Sequence, residues 1–291
     1  CGSTFVGVTW ADDPSLVGWW KLDETSGIVA VDSSHNGNNG ILVNGPTWVQ
    51  GRLNGGLSLD GWDDYVETNH TSNLANWTVL VWVTSPAAPA GAAPSGPVHR
   101  EQNYQINWNH NDPVYRGAAG LNVGGAWYPA NFGLLAANTW YHLAATYDGD
   151  VLKAYKDGEL ITANYAPSGN PSLEPSSLKF GRHSVWQDCF RGTIDDVQVY
   201  SRALARDEIR QVMLGAEDMS QALNPHPPDG STENVADASI LSWTPGDGAT
   251  RHDVYFGTNR ETVEQADSRD ARGVYRGRQT ATTYHVPDQL A

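Results

Sequence analysis

Between residues 16 and 200 the chain is a succession of short strand-like segments cut by Gly/Asp turns, and that pattern leaves few folds open. Segments at 17–22, 57–59, 65–68, 78–83, 140–147, 151–156, 159–161, 177–181 and 192–200 are rich in Val, Leu, Ile, Trp, Tyr and Thr. The turns Asp60-Gly61-Trp62-Asp63-Asp64, Asp148-Gly149-Asp150 and Asp157-Gly158 separate neighbours. Strands this short bury an apolar face only by packing sheet on sheet, which predicts an all-β jelly-roll sandwich. The 30 Gly and 16 Pro supply turns, and 12 Trp and 12 Tyr supply core volume. Residues 86–97 form a Pro/Ala/Gly run read as a surface loop, and 102–108 read as a further strand. One helix is predicted over 203–214, where Leu204, Ile209, Val212 and Met213 share a face and Gly215 suits the stop.

The flanks differ from this body. Residues 3–10 have strand composition and are cut off by Ala11-Asp12-Asp13-Pro14, so 1–13 read as an N-terminal extension and a possible donor strand. The jelly roll takes 14–216. The polar stretch 217–226 reads as a linker, with the domain boundary set at 217–222, and 223–291 as a second β domain with strands at 239–243, 251–257 and 282–286. That tail is shorter than the roughly 100 residues a seven-stranded sandwich takes.

Eighteen Lys and Arg stand against 33 Asp and Glu, a net charge of -15, which argues against nucleic acid and anionic lipid as partners. No apolar run reaches the ~18 residues of a transmembrane segment. Cys1-Gly2-Ser3 fits either a processed lipoprotein or a fragment, and spacing leaves open whether Cys1 and Cys189 are bridged. Asn69-His70-Thr71 and Asn76-Trp77-Thr78 are glycosylation sequons.

Specific motifs carry a resemblance. Gly18-Trp19-Trp20-Lys21-Leu22-Asp23-Glu24, Asp32-Ser33-Ser34-His35-Asn36-Gly37 and Leu59-Asp60-Gly61-Trp62-Asp63-Asp64-Tyr65-Val66 are followed in order by Trp140-Tyr141-His142-Leu143-Ala144, Tyr155-Lys156-Asp157-Gly158 and Ile194-Asp195-Asp196-Val197-Gln198-Val199-Tyr200. Together they resemble the laminin-G-like, concanavalin A-like jelly roll of bacterial surface proteins, over about 16–213. Ala205 departs from the family's Ser or Thr, so Glu208 is expected to lack its capping-box partner. Leu241-Ser242-Trp243-Thr244-Pro245 and His252-Asp253-Val254-Tyr255-Phe256-Gly257 make the tail resemble an incomplete fibronectin type III-like domain.

Catalysis is not expected. A glycosidase needs two carboxylates facing one cleft, and strand alternation puts Asp195 with Val197 and Val199 but Asp196 with Ile194 and Gln198. His142, between Tyr141 and Leu143, reads as structural. A structural Ca2+ is expected, with Asp60, Asp63, Asp64 and Asp196 as ligands, because calcium takes six to eight hard oxygens. For carbohydrate, Trp108, Trp127, Tyr128 and Trp186 sit in polar contexts beside Asn107, Asn109, His110, Asn122 and Asn131. The first functional expectation is a non-catalytic, extracellular structural or adhesive protein, pairing with copies of itself or other surface proteins by strand addition into a fibre. The second is a lectin-like module of a secreted enzyme that binds polysaccharide.

Overall fold

The computed structural model describes residues 13–89, 95–109, 117–183, 188–213, 215, 223–226, 240–244, 251–256 and 274–285. Two compact units divide the chain; one spans Trp10–Gly215 and the other holds Ala216–Ala291. Strands of the first unit are, in chain order, β1 (Leu16–Trp20), β2 (Val29–Ala30), β3 (Gly40–Val43), β4 (Thr47–Leu53), β5 (Gly55–Asp60), β6 (Tyr65–Thr68), β7 (Trp77–Thr84), β8 (Val98–Arg100), β9 (Tyr104–Asn107), β10 (Ala118–Val123), β11 (Ala126–Asn131), β12 (Tyr141–Tyr147), β13 (Leu152–Lys156), β14 (Glu159–Asn164), β15 (Lys179–Phe180) and β16 (Arg191–Tyr200). Helix α1 (Arg206–Met213) follows.

These strands make two antiparallel sheets. The back sheet has the order β14-β13-β12-β7-β16-β5-β4, with β1 also pairing on β16; the front sheet has the order β11-β10-β9-β8-β15-β6-β3-β2. Alternate residues meet between them: Val79, Val81 and Val83 from β7, Leu143 and Ala145 from β12, and Ile106, Leu121 and Phe180 from the front sheet all enter one core. Each fully buried Leu or Val contributes about 1.5–3 kcal/mol. Strand β7 is buried on both faces. Its core side meets the front sheet, while on the other side Trp82 Nε1 donates to Met213 O of α1 (3.1 Å) and Thr78 Oγ1 to Arg202 O (2.7 Å).

The expected helix is present, shortened at both ends, with Ile209 and Val212 buried. Its start corrects one expectation. Glu208 reaches back to accept from the Ala205 amide (2.6 Å), so half of the capping box forms without a hydroxyl. Arg202 forks onto the same carboxylate through Nη1 (2.9 Å) and Nη2 (2.7 Å), and Nη2 also donates to Asp13 Oδ2 (3.0 Å). The end of the 86–97 loop is also not superficial: Ser95, Gly96 and Pro97 are buried.

Strict alternation fails in β16. Between Asp195 and Gln198 the register against β7 slips, and Asp196 adopts a φ of 48°. This is a β-bulge. Ile194, Val197 and Val199 all face the core, and both aspartates are turned to the opposite face.

In the second unit β17 (Leu223–His226), β18 (Ile240–Thr244) and β21 (Thr283–His285) form one sheet, and β19 (His252–Tyr255) and β20 (Tyr275–Gln279) form another. Rings join the two: Trp243 lies 5.5 Å from His252, and Phe256 lies 6.5 Å from Tyr284. Because 223–226 pairs with β18, the polar run read as a linker ends in a strand. The likeness of this unit to a fibronectin type III-like domain rests on sequence. The expected donor strand at 4–10 lies outside the described residues.

Candidate functional site

The registers carry one row of residues across the front sheet on the face turned away from the core. Pro129 pairs with Gly120, Gly120 with Gln105, Gln105 with His99, His99 with Lys179, and Lys179 with Glu67. Their sequence neighbours Val98, Ile106, Ala119, Leu121, Phe180 and Val66 point the other way, into the core. A second row on the same face holds Asn107, opposite Ala118, and a third holds Asn122, opposite Trp127. This face is therefore built of imidazole, amides, the Lys179–Glu67 ion pair (3.3 Å) and one exposed indole, Trp127, which is 50% accessible.

Most of the face is sequestered. His99, Gln105, Asn107 and Asn122 are all buried. Some of their polar atoms are engaged: Gln105 Nε2 donates to Glu101 O, Asn107 Nδ2 to Gln105 Oε1 (3.0 Å), and Ser172 Oγ to Asn122 Oδ1 (2.6 Å). Others are unspent, namely both ring nitrogens of His99 and Oδ1 of Asn107. Leaving a buried polar atom unmatched costs about 1–3 kcal/mol, so such atoms are kept where something else uses them. Burial, with the His183 ring beside it, holds the His99 pKa well below 6.5, so its imidazole is neutral at pH 7 and offers one donor and one acceptor. His183 stacks edge-on at 5.1 Å, and its Nε2 lies 3.2 Å from Glu101 Oε1. Gly120, itself buried, stands in the middle of the row, where a Cβ would lie at ordinary contact distance from Gln105 Oε1 (3.9 Å) and Asn107 Nδ2 (4.0 Å).

Residues 60–210 match the Laminin_G_3 family of the concanavalin A-like lectin/glucanases superfamily. The chain belongs to this superfamily. Solved structures share the fold at low identity. Domain 4 of AbnA, a GH43 extracellular arabinanase from Geobacillus stearothermophilus in complex with arabinotriose, is 17% identical with a TM-score of 0.56, over 68% of this chain and 98% of that one. The botulinum neurotoxin serotype D binding domain is 16% identical with a TM-score of 0.53, over 80% and 63% of the two chains. The binding domain of Paraclostridial Mosquitocidal Protein 1 is 16% identical with a TM-score of 0.54, over 68% and 51%. No curated protein matches.

Within this concanavalin A-like domain the residues expected from sequence fall in different places. Trp127 stands on the polar face. Tyr128, its neighbour, is half-buried and packs against the core. Trp108 is a correction: only 2% exposed, it lies 6.4 Å from the Tyr141 ring and 6.1 Å from Phe190, so no sugar can stack on it. Trp186 and His110 lie outside the described residues. Asn69 and Asn76 are exposed.

Asp60, Asp63 and Asp64 do converge, with one carboxylate oxygen of each within 4.8 Å of the others. Asp196 is not with them, which corrects the expected ligand set. Its Oδ1 accepts from Trp19 Nε1 and its Oδ2 from Gln198 Nε2 (3.1 Å), on the back sheet. Beside it, Asp195 Oδ2 accepts from the amides of Arg52 (2.8 Å) and Leu53 (2.6 Å). Burial pushes Asp195 up to about 7 and Asp196 up to about 6. The expected separation of this pair onto opposite faces is overturned by the bulge.

Sequence reasoning missed His99, Gln105, Gly120 and His183 as members of one site. Tyr104-Gln105-Ile106-Asn107 alternates apolar and polar and could have pointed to an amide-bearing face.

Proposed function

We propose that the front sheet of this domain binds a neutral glycan without cleaving it. The observation that carries this reading is the exposed Trp127 indole, which stands on the front-sheet face of amides and imidazole, with Asn107 two strands and His99 three strands behind it. The net charge of -15 disfavours an anionic saccharide. The indole offers an apolar face for a pyranose or furanose ring. That domain 4 of the arabinanase was solved with arabinotriose supports a saccharide as the ligand class.

The non-catalytic part of the reading is supported by the placement of Asp195 and Asp196. Both are enclosed on the back sheet, with Asp195 Oδ2 and both Asp196 oxygens engaged by Arg52, Leu53, Trp19 and Gln198. An extracellular setting follows from a polysaccharide ligand, and among the described residues no helix is long and apolar enough to cross a membrane. Nothing among the described residues favours the fibre reading, whose donor strand lies outside them.

For calcium, Asp60, Asp63 and Asp64 fit as partial ligands, able to supply carboxylate oxygens that hold the β5–β6 turn. Burial, together with the Asp60 and Asp63 charges, raises the Asp64 pKa against the pull of the Asp60 amide, and a cation would relieve that crowding. A calcium-dependent rise in melting temperature, lost in Asp63→Asn, tests this.

A glycan array with the full chain, followed by calorimetry, tests the main reading. The expected result is selective binding of a neutral saccharide, weakened at least tenfold by Trp127→Ala. Binding that ignores this substitution, or preference for acidic glycans, overturns it.

A further inference from the structure

A second set of unspent polar atoms lies on the other side of the front sheet, inside the sandwich. Arg100 ends β8 opposite Tyr104 of β9, and neither is exposed at all. Arg100 Nη2 donates to Thr71 O and, at 2.7 Å, to Glu174 O. Its Nε and Nη1 have no partner. The nearby Glu174 carboxylate accepts from the Ser176 amide (2.8 Å); its charge favours the guanidinium, but no ion pair joins Arg100 to any described carboxylate, and burial still lowers the Arg100 pKa. Tyr104 OH, Trp77 Nε1 and His70 Nε2 are also buried and unmatched. These groups are neighbours. The Trp77 and Tyr104 rings are 5.6 Å apart, and the Arg100 charge acts on both Tyr104 and His70.

The chemistry of the set is one-sided. Arg100 Nε and Nη1 and Trp77 Nε1 can only donate, and Tyr104 OH can do so; the neutral His70 ring gives its one hydrogen to the Ser72 backbone, so its unmatched Nε2 is an acceptor and stands outside the donor set. A guanidinium charge held away from water needs compensation that a water molecule does not supply. Water would also bring two hydrogens of its own into a group with almost no acceptors. We propose that Arg100 and Tyr104, with Trp77 beside them, hold a small monovalent anion of the size of chloride inside the sandwich. This site is independent of the glycan face, since Arg100 and His99 leave β8 on opposite sides.

The test uses the full chain. At fixed pH and ionic strength, replacing gluconate by chloride raises the melting temperature along a saturating single-site curve. Crystals grown in bromide show an anomalous peak within hydrogen-bond reach of Arg100 Nη1 and Tyr104 OH. Tyr104→Phe and Arg100→Gln lose the chloride-dependent shift; should the arginine variant fail to fold, the tyrosine variant and the bromide crystal still decide. Melting indifferent to chloride, bromide peaks on the surface only, or ordered water alone beside Arg100 each overturn the proposal.

Discussion

Asp195 and Asp196 are consecutive in sequence yet stand on the same face of β16. The φ of 48° at Asp196 inserts one extra residue into the strand and reverses the expected alternation. The bulge falls where β16 changes partner, from β5 at Ile194 to β1 at Val197. Two carboxylates are thereby enclosed side by side, and the Asp196 charge adds to burial in raising the Asp195 pKa.

Asp195→Asn should reveal that cost. The native carboxyl titrates near 7 and the unfolded one near 3.8, so the native state holds an extra proton between these values. Stability from this group is full below pH 4 and is lost as pH rises through 7. Asparagine keeps an acceptor for the Arg52 and Leu53 amides without the charge. The variant should melt above wild type at pH 8, with the gap closing towards pH 5. A gap independent of pH would sink this account.

His142 has the opposite sign. Burial brings it down to about 3, neither nitrogen has a hydrogen-bond partner, and its ring lies 5.2 Å from Trp82. Its contribution is present above pH 6.5 and is lost as pH falls below it, because the unfolded chain takes the proton first. His142→Leu should therefore lose less stability than wild type between pH 6.5 and pH 4, as read by denaturant titration at each pH.

Ala205→Ser should complete the cap at the start of α1. The Glu208 half already accepts from the Ala205 amide, and a serine hydroxyl would take the amide of Glu208 in return. The expected gain is about 0.5–1 kcal/mol, seen as a higher denaturation midpoint with an unchanged slope.

Trp127→Ala should remove the glycan platform while sparing the fold. The indole is 50% exposed on the edge strand β11, so its loss takes little from the core. Saccharide binding should disappear with the melting temperature held within a few degrees; retained binding would place the ligand elsewhere.

What could be read in advance follows from how local each signal is. The apolar run of β7 and the β12–β13 hairpin around Asp148-Gly149-Asp150 declare themselves within a few residues. Strands β4, β10 and β11 do not, because each carries a residue that argues against a strand: Gly51, Gly120 and Pro129. Gly51 is nevertheless required, since a Cβ there would come within 1.6 Å of Gly55 O. The polar site was harder still. His99 and His183 meet only because β15 pairs with β8, a contact that no local pattern announces. Trp108 misled for the converse reason: polar neighbours flank it in sequence, but its indole is packed inward and donates to Ala87 O (3.1 Å).

The clasp between Asp13 and Arg202 has a mechanical consequence. It joins the two ends of the jelly roll, and Ser201 N donating to Ser15 O (2.7 Å) sits beside it. Tension applied across these ends would peel β1 from β16 one rung at a time, beginning at Leu16 and Tyr200, instead of shearing every rung together. A module tethered this way gives at low load by releasing its first strand, and the polar face on the other sheet stays intact while it does.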